Sequence, residues 1–274
     1  MTNPYRIEGP ACISFSGGRT SAYMLRQILD AHGGTLPPNV HVIFCNTGKE
    51  YPGCYDFVLE CSDRWSVAIR WLEWRPNKRR GDDPNFVEVG HATASRNGEP
   101  FAALVRKRRA LPDLTKRFCT EELKIKTAKR WMVAQGYRQW VNVVGLRADE
   151  PHRVARRKAS KPDTRSDLAF PLYAAGVTKA DVLAFWAAQP FDLRERHSNC
   201  DLCFMKPVGH RMRVMADEPE RADWWIERER ERDATFVSPV REPGGYSMLR
   251  AAARHLPLYL PFDEPDGVDC ACTD

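Results

Sequence analysis

The chain has 274 residues and a mass of 31.3 kDa, enough for one large α/β domain or a domain with an appendage. Its 43% hydrophobic and 28% charged residues exclude a disordered or collagenous chain. No apolar run approaches the roughly 20 residues that cross a bilayer, and Met1–Gly18 lacks the layout of a secretory signal. A soluble, cytoplasmic protein with no membrane partner is expected. The net charge of +6 is unevenly placed: residues 101–165 hold 18 Lys/Arg against 6 Asp/Glu, and the rest of the chain is net acidic. Such asymmetry suits a nucleotide or a nucleic acid, the alternative being a solvated arginine-rich surface. The nine cysteines, an odd number without a signal peptide, argue against a disulfide framework and for metal or thiol chemistry.

Strand and helix patterns alternate through the first third. Ala11–Ser16 reads as a buried strand, and Ser21–His32 as a helix ending at Gly33-Gly34. A strand over Val40–Cys45, a helical stretch from Pro52 to about Trp65 and a strand over Val67–Trp74 follow. This alternation predicts a parallel sheet with right-handed crossovers, hence an α/β fold. Arg75–Lys116 breaks the rhythm and reads as a mobile basic excursion over the site. Regular structure resumes with a helix over Thr120–Gln135, capped by Thr120, and a strand over Trp140–Val144. Thr178–Asp181 has the form of a capping box opening Val182–Ala188. Glu218–Arg232 reads as a charged, peripheral helix, Trp224-Trp225 as packing residues, and the tail after Pro257 as irregular. The division expected is an α/β domain over 1–190, with the basic insertion at about 75–116, and a cysteine-bearing region over 191–274.

The sharpest chemical signal is Ser14-Phe15-Ser16-Gly17-Gly18-Arg19-Thr20-Ser21, between the first strand and the first helix. A parallel strand delivers this loop to the ligand-binding edge of the sheet. Two glycines permit close backbone approach, and a helix N-terminus supplies N–H groups and a favourable dipole for phosphate or sulfate oxygens. Neither GxGxxG nor GxxxxGK[ST] is present.

The loop resembles the SGGxxS loop of the adenine nucleotide α-hydrolase superfamily, which contains the ATP pyrophosphatases and the phosphoadenosine phosphosulfate (PAPS) reductases. Three further segments carry the resemblance in chain order. Asn46-Thr47-Gly48-Lys49-Glu50 is similar to the NTG-x-E segment of the PAPS reductase branch. Gly145-Leu146-Arg147-Ala148-Asp149-Glu150, with Arg153 beyond it, is similar to that branch's G-x-R-x-x-E. Phe170-Pro171-Leu172 with Val177–Trp186 resembles its P-L stretch and the helix after it. The resemblance implies a three-layer sandwich with a parallel sheet. Its nucleotide would lie on Ser14 and Ser16–Ser21 (Gly17, Gly18, Arg19 and Thr20 between), near Asn46, Thr47, Gly48, Glu50 and Gly145. Arg147 and Arg153 would pair sulfate or phosphate oxygens, with Glu150 orienting an arginine. Thr20 stands where many ATP-using relatives have Asp, which favours a sulfonucleotide over ATP.

Cys200-Asp201-Leu202-Cys203 is a C-x-x-C, and Cys119 precedes a helix far upstream. Thiolates are soft ligands for iron–sulfur clusters and for zinc, and Arg117, Lys124 and Lys206 would lower their pKa values. Iron–sulfur sulfonucleotide reductases have a similar arrangement, a Cys-Cys pair with a distant C-x-x-C, although Phe118 stands here in place of the first cysteine. The resemblance therefore implies a [4Fe-4S] cluster on Cys119, Cys200 and Cys203, with Cys272 of the tail as fourth ligand and Cys270 as nucleophile. The opposite split between the tail cysteines, or idle tail thiols, are alternatives, as is zinc. Cys12, Cys45, Cys54 and Cys61 read as packing residues.

The activity so implied is reduction of PAPS or adenosine phosphosulfate to sulfite, with a thioredoxin-type dithiol as reductant. The alternatives are an AMP-forming iron–sulfur sulfurtransferase that thiolates nucleic acid, and a non-catalytic module binding nucleotide or nucleic acid.

Overall fold

The structure is a computed structural model and describes residues 3–77, 85–160, 162–193 and 200–255. In the first half β1 (Ala11–Ser14), α1 (Arg19–Ala31), β2 (Val40–Asn46), α2 (Pro52–Arg64) and β3 (Ile69–Trp74) alternate, followed by β4 (Phe86–Val89) and α3 (Glu99–Arg108). A π-helical turn, Thr120–Ile125, runs into α4 (Lys126–Ala134) and then β5 (Trp140–Val143). Next come α5 (Pro151–Ala159), β6 (Ser166–Ala169), the short α6 (Pro171–Ala174) and α7 (Lys179–Ala187). Three helices close the described chain: α8 (Val208–Asp217), α9 (Arg221–Arg232) and α10 (Gly245–Ala253).

The strands form one sheet in the order β4-β3-β2-β1-β5-β6. All pairs are parallel except β3 with β4, and Ile13 of β1 stands between Val42 of β2 and Val143 of β5. The central strands β1 and β2 are buried almost end to end, as parallel strands covered on both faces must be. α1 turns Ala22, Leu25, Ile28 and Leu29 to the sheet. It stops where Gly33 and Gly34 take left-handed φ angles and Gly34 N–H donates to Leu29 C=O. The expected capping box opens α7, with Thr178 and Asp181 bonding reciprocally. The chain moves outward through β2 and β3 and then resumes on the other side of β1 with β5. The order thus reverses between β1 and β5, and there the crevice of an open α/β sheet lies.

Two expectations are corrected. The described part of Arg75–Lys116 is ordered rather than a mobile excursion. Its Phe86–Val89 alternation pairs antiparallel with β3, and α3 buries Phe101, Leu104 and Val105 at helical spacing. The basic composition of the segment conceals both patterns. Nor is α9 peripheral: the stripe Ala222, Trp225, Ile226 is buried, and with it Arg228 and Glu229. Trp225 has no exposed surface, and its ring meets Phe101, Phe236 and Tyr246. One hydrophobic cluster therefore runs from the sheet across residue 190 into α8–α10. The strand β6 and the helices α5, α8 and α10 were outside the sequence reading, being too short or too charged to give a periodic signal.

Truncation of Trp225 removes an indole that this cluster encloses. Trp225→Ala is expected to lower unfolding free energy by about 3–5 kcal/mol in urea denaturation, whereas Val240→Ala, at 93% exposure, stays within about 0.5 kcal/mol of the parent.

Candidate active site

The loop after β1 is shaped by packing beneath it. Gly17 has φ +77°, and a Cβ there would lie 3.1 Å from the Phe44 ring. Ser16 N–H donates to Ser21 Oγ (3.1 Å), the two hydroxyls are 3.0 Å apart, and Ser21 Oγ donates to Gly18 C=O (2.9 Å). Gly18 is the N-cap of α1 and no side chain caps that end. Arg19 turns away from the loop: it holds Asp192 through Nε and Nη2 and donates to Leu193 C=O, while Trp186 Nε1 donates to Arg19 C=O. Thr20 is buried and accepts from Arg147 Nη1 at 3.2 Å, which joins the loop after β1 to the loop after β5.

In that second loop Arg147 donates through its backbone to Glu150 and through Nε to Asp149, and Arg153 donates to the other Glu150 oxygen. Gly145 packs against Met24 and Ser21 of α1, where a Cβ would touch both. Arg147, Glu150 and Arg153 are all buried. They form a charge-compensated brace behind the loop.

In front of the loop lies a cleft lined by Ser14, Phe15, Ser16, Ile43, Cys45, Asn142 and Val144. Lys124, Ile125, Ala128, Lys129, Arg157 and Asp163 complete its lining, with Lys129 Nζ 2.6 Å from Asp163 Oδ2. A partly apolar lining with a few cations beside it suits a ligand that is flat and apolar at one end and anionic at the other. Burial pushes the Cys45 thiol up to about 12 and raises that of Cys12 further, so both are neutral packing groups.

A second, smaller pocket brings Cys119 together with the distant C-x-x-C. Cys119, Cys200 and Cys203 line it with Thr47, Arg117, Thr120, Leu123 and Lys124. Cys119 rather than Thr120 takes the N-cap position, and no side chain caps the π-helical turn. None of the seven described cysteines is in a disulfide. Among the described residues no group of three or more His, Cys, Asp or Glu closes onto a single metal ion. Lys124 lines both this pocket and the cleft, so the two are neighbours.

The Asn46–Glu50 segment leaves β2 at the same sheet edge, but it contributes nothing to the lining of the cleft. Instead it holds the C-x-x-C turn. Glu50 forms an isolated antiparallel bridge with Cys200, and Asp201 N–H donates to Lys49 C=O (2.8 Å). Lys49 Nζ is 3.0 Å from Asp201 Oδ2 with both side chains buried, and Trp225 Nε1 donates to Asp201 Oδ1 (2.9 Å). Thr47 Oγ1 lies 3.4 Å from Cys200 Sγ and donates to Glu50, whose carboxyl is raised by burial despite Lys124 Nζ at 3.9 Å. Asn46 donates to Glu73 and Ser95 C=O, and Gly48 (φ +79°) accepts from Gly98 N–H with no room for a Cβ.

Of the expected residues, the structure therefore gathers the glycine loop and Arg147 at the β1–β5 crevice, and Cys119, Cys200 and Cys203 in the neighbouring pocket. Cys270 and Cys272 lie outside the described residues. Asp201, Lys129, Arg157 and Asn142 escaped the sequence reading. Only Asp201, a lone carboxylate between two candidate ligands, offered a signal.

No protein-family model matches the chain. It is 33% identical over 201 residues to the nin region protein ORF290 of Escherichia phage lambda, covering 71% of this chain; the chain spans about 65% of the length of that relative. It is similar to a phosphoadenylyl-sulfate (PAPS) reductase from Candida auris in a phosphate complex, with 17% identity and a TM-score of 0.39 over 68% of this chain and 76% of that one. It is also similar to the U34-tRNA thiolase NcsA from Methanococcus maripaludis with its [4Fe-4S] cluster, with 13% identity and a TM-score of 0.40 over 95% of this chain and 77% of that one. The architecture of the chain itself, a mostly parallel α/β sheet with the glycine loop after β1, the NTG segment after β2 and the arginine segment after β5, is the one that the PAPS reductase resemblance implies.

Removing one member of a buried ion pair strands the other. Asp201→Asn is expected to cost about 3 kcal/mol in urea denaturation, and Asp201→Asn with Lys49→Met to cost less than the sum of the single changes. An additive cycle would show that the pair does not couple the C-x-x-C turn to the sheet edge.

Proposed function

We propose that the chain is an iron–sulfur sulfonucleotide reductase, which takes PAPS or adenosine phosphosulfate and releases sulfite. The observation that carries this reading is the shared lining residue. Three thiols from two distant segments line one pocket, and the Lys124 that lines it also lines the cleft over the glycine loop. The donor set fits a cluster: three soft sulfur ligands, with Arg117 and Lys124 in the same lining to offset its negative charge. Cys119, Cys200 and Cys203 would hold it, with Cys272 as the fourth ligand. When bound, the cluster places a polarising inorganic charge beside the sulfate.

The residues of the chain do the rest. Backbone N–H groups at Gly18–Ser21 receive the phosphate oxygens, the apolar floor takes the adenine, and Lys124, Lys129 and Arg157 balance the anionic charge. The Cys270 thiolate attacks the sulfate sulfur. The S–O bond to the phosphate breaks, and the nucleotide leaves with the electron pair, giving a cysteine S-sulfonate. One thiolate of a thioredoxin-type dithiol then attacks the Cys270 sulfur and expels sulfite, and its second thiol displaces Cys270. The dithiol ends as a disulfide, and its two electrons have reduced the sulfur.

Anaerobically purified protein is expected to contain iron and acid-labile sulfide, and Cys119→Ser, Cys200→Ser or Cys203→Ser to lose most of both. Sulfite should appear with PAPS or adenosine phosphosulfate and reduced thioredoxin, and Cys270→Ser should abolish it while retaining the iron. Iron-free protein that binds zinc would overturn the cluster. AMP formed from ATP without sulfite would replace the reductase by a sulfurtransferase.

A further inference from the structure

We infer that the basic segment 101–165 is a nucleic-acid interface, which leads an unpaired strand across the mouths of both pockets. The inference goes beyond the reductase reading and stands independently of it.

The charge surplus of this segment survives a full accounting of its acids. Glu122 is gripped by Arg108, Lys126 and Arg130, Glu121 by Lys126, and Asp163 by Lys129. Asp149 and Glu150 serve Arg147 and Arg153, and Asp113 closes its own turn with Thr115 and Lys116. Six carboxylates are thereby consumed inside the segment, against 18 cations.

The surplus faces outward. Arg106–Arg109 at the end of α3, Lys116, and Arg156 with Lys158 on α5 are exposed. Cations do complement a helix C-terminus, but that effect ends within the last turn, whereas here the run continues from α3 through Arg109 to Lys116 and Arg117. The contacts of α4 join the two ends of the belt: Arg130 shares Glu122 with Arg108, and Lys129 reaches Asp163 beyond α5. Between them the belt crosses the openings, since Lys124, Lys129 and Arg157 line the cleft and Arg117 lines the thiol pocket. Acidic side chains gather instead at the start of α9, where Glu218, Glu220, Asp223 and Glu227 line a separate cleft together with Lys49, Arg96 and Arg221.

Two observations name the polyanion. Phe118, half-buried beside Cys119, carries the Arg108 guanidinium 5.8 Å over its ring. An arginine with an aromatic ring in a basic track is the platform on which unpaired bases stack. An anionic membrane would also require apolar anchors beside the cations, and Val133 is the sole exposed large hydrophobic of this segment among its described residues.

The test is fluorescence anisotropy with labelled single-stranded DNA and RNA of one sequence, the matching duplexes, and phosphatidylglycerol vesicles, across a salt series. Single strands are expected to bind more tightly than duplexes, with an affinity that falls linearly in log–log salt plots. Combined Arg106→Glu, Lys107→Glu and Arg109→Glu should weaken binding at least about tenfold and flatten the salt slope by about two. Arg156→Glu with Lys158→Glu should act in the same direction, and Arg230→Glu on α9 should change little. Circular dichroism melting checks that every variant folds. Absence of salt-dependent binding, equal loss in Arg230→Glu, or a preference for vesicles would overturn the inference. Sulfite release, measured on the same variants, should be unchanged, so the interface and the reductase reading fail separately.

Discussion

The buried pair of Lys49 and Asp201 is the joint on which the candidate site depends. Lys49 follows the end of β2, and Asp201 sits between the two cysteines of the C-x-x-C turn. An ion pair out of water is retained only where its geometry is fixed by further bonds. Here Lys49 C=O accepts from Asp201 N–H, Trp225 Nε1 and Leu202 N–H donate to the Asp201 carboxylate, and the Lys49 ammonium lies 5.3 Å from the Trp224 ring centroid. The contact thus binds three things at once: the edge of the sheet, the thiol turn, and the helix α9 whose tryptophans close the core.

This joint changes the meaning of the NTG segment. A strand end at the sheet edge is a natural place for ligand contacts, and the residue types Asn, Thr, Gly and Glu are those of a polar site. Yet Asn46, Thr47 and Glu50 are buried and bonded to Glu73, Ser95 and one another, with Thr47 turned to Cys200. The segment transmits the position of β2 to the cysteines. A nucleotide on the β1 loop and a metal group on the thiols would consequently be registered to neighbouring strands of one rigid sheet, and no mobile loop would set the distance between them.

The α/β class was legible because β1, β2 and β3 are apolar runs bounded by turn residues, and the loop Ser14–Ser21 because its glycines stand between a strand and a helix. The approach of Cys119 to Cys200 was not legible from spacing, since it depends on a bridge between Glu50 and Cys200 that no local pattern announces. The ordered interior of residues 85–108 and the burial of α9 were hidden for one common reason. Arginine-rich composition dominates an average over either segment, while burial is decided by the three or four apolar residues on a single helical face.

The π-helical turn explains how one short segment serves both pockets. In an α-helix, residues five apart point about 140° away from each other. A turn closed by i→i+5 bonds, as Lys126 N–H to Glu121 C=O closes this one, brings residues five apart back toward the same side. Cys119 and Lys124 are separated by that interval and line the same pocket. The α-helix then resumes at Lys126 and turns Ala128 and Lys129 to the cleft. One widened turn, at the cost of its hydrogen-bond geometry, brings Cys119 and Lys124 to the lining of one pocket, where a regular helix would have turned one of them away.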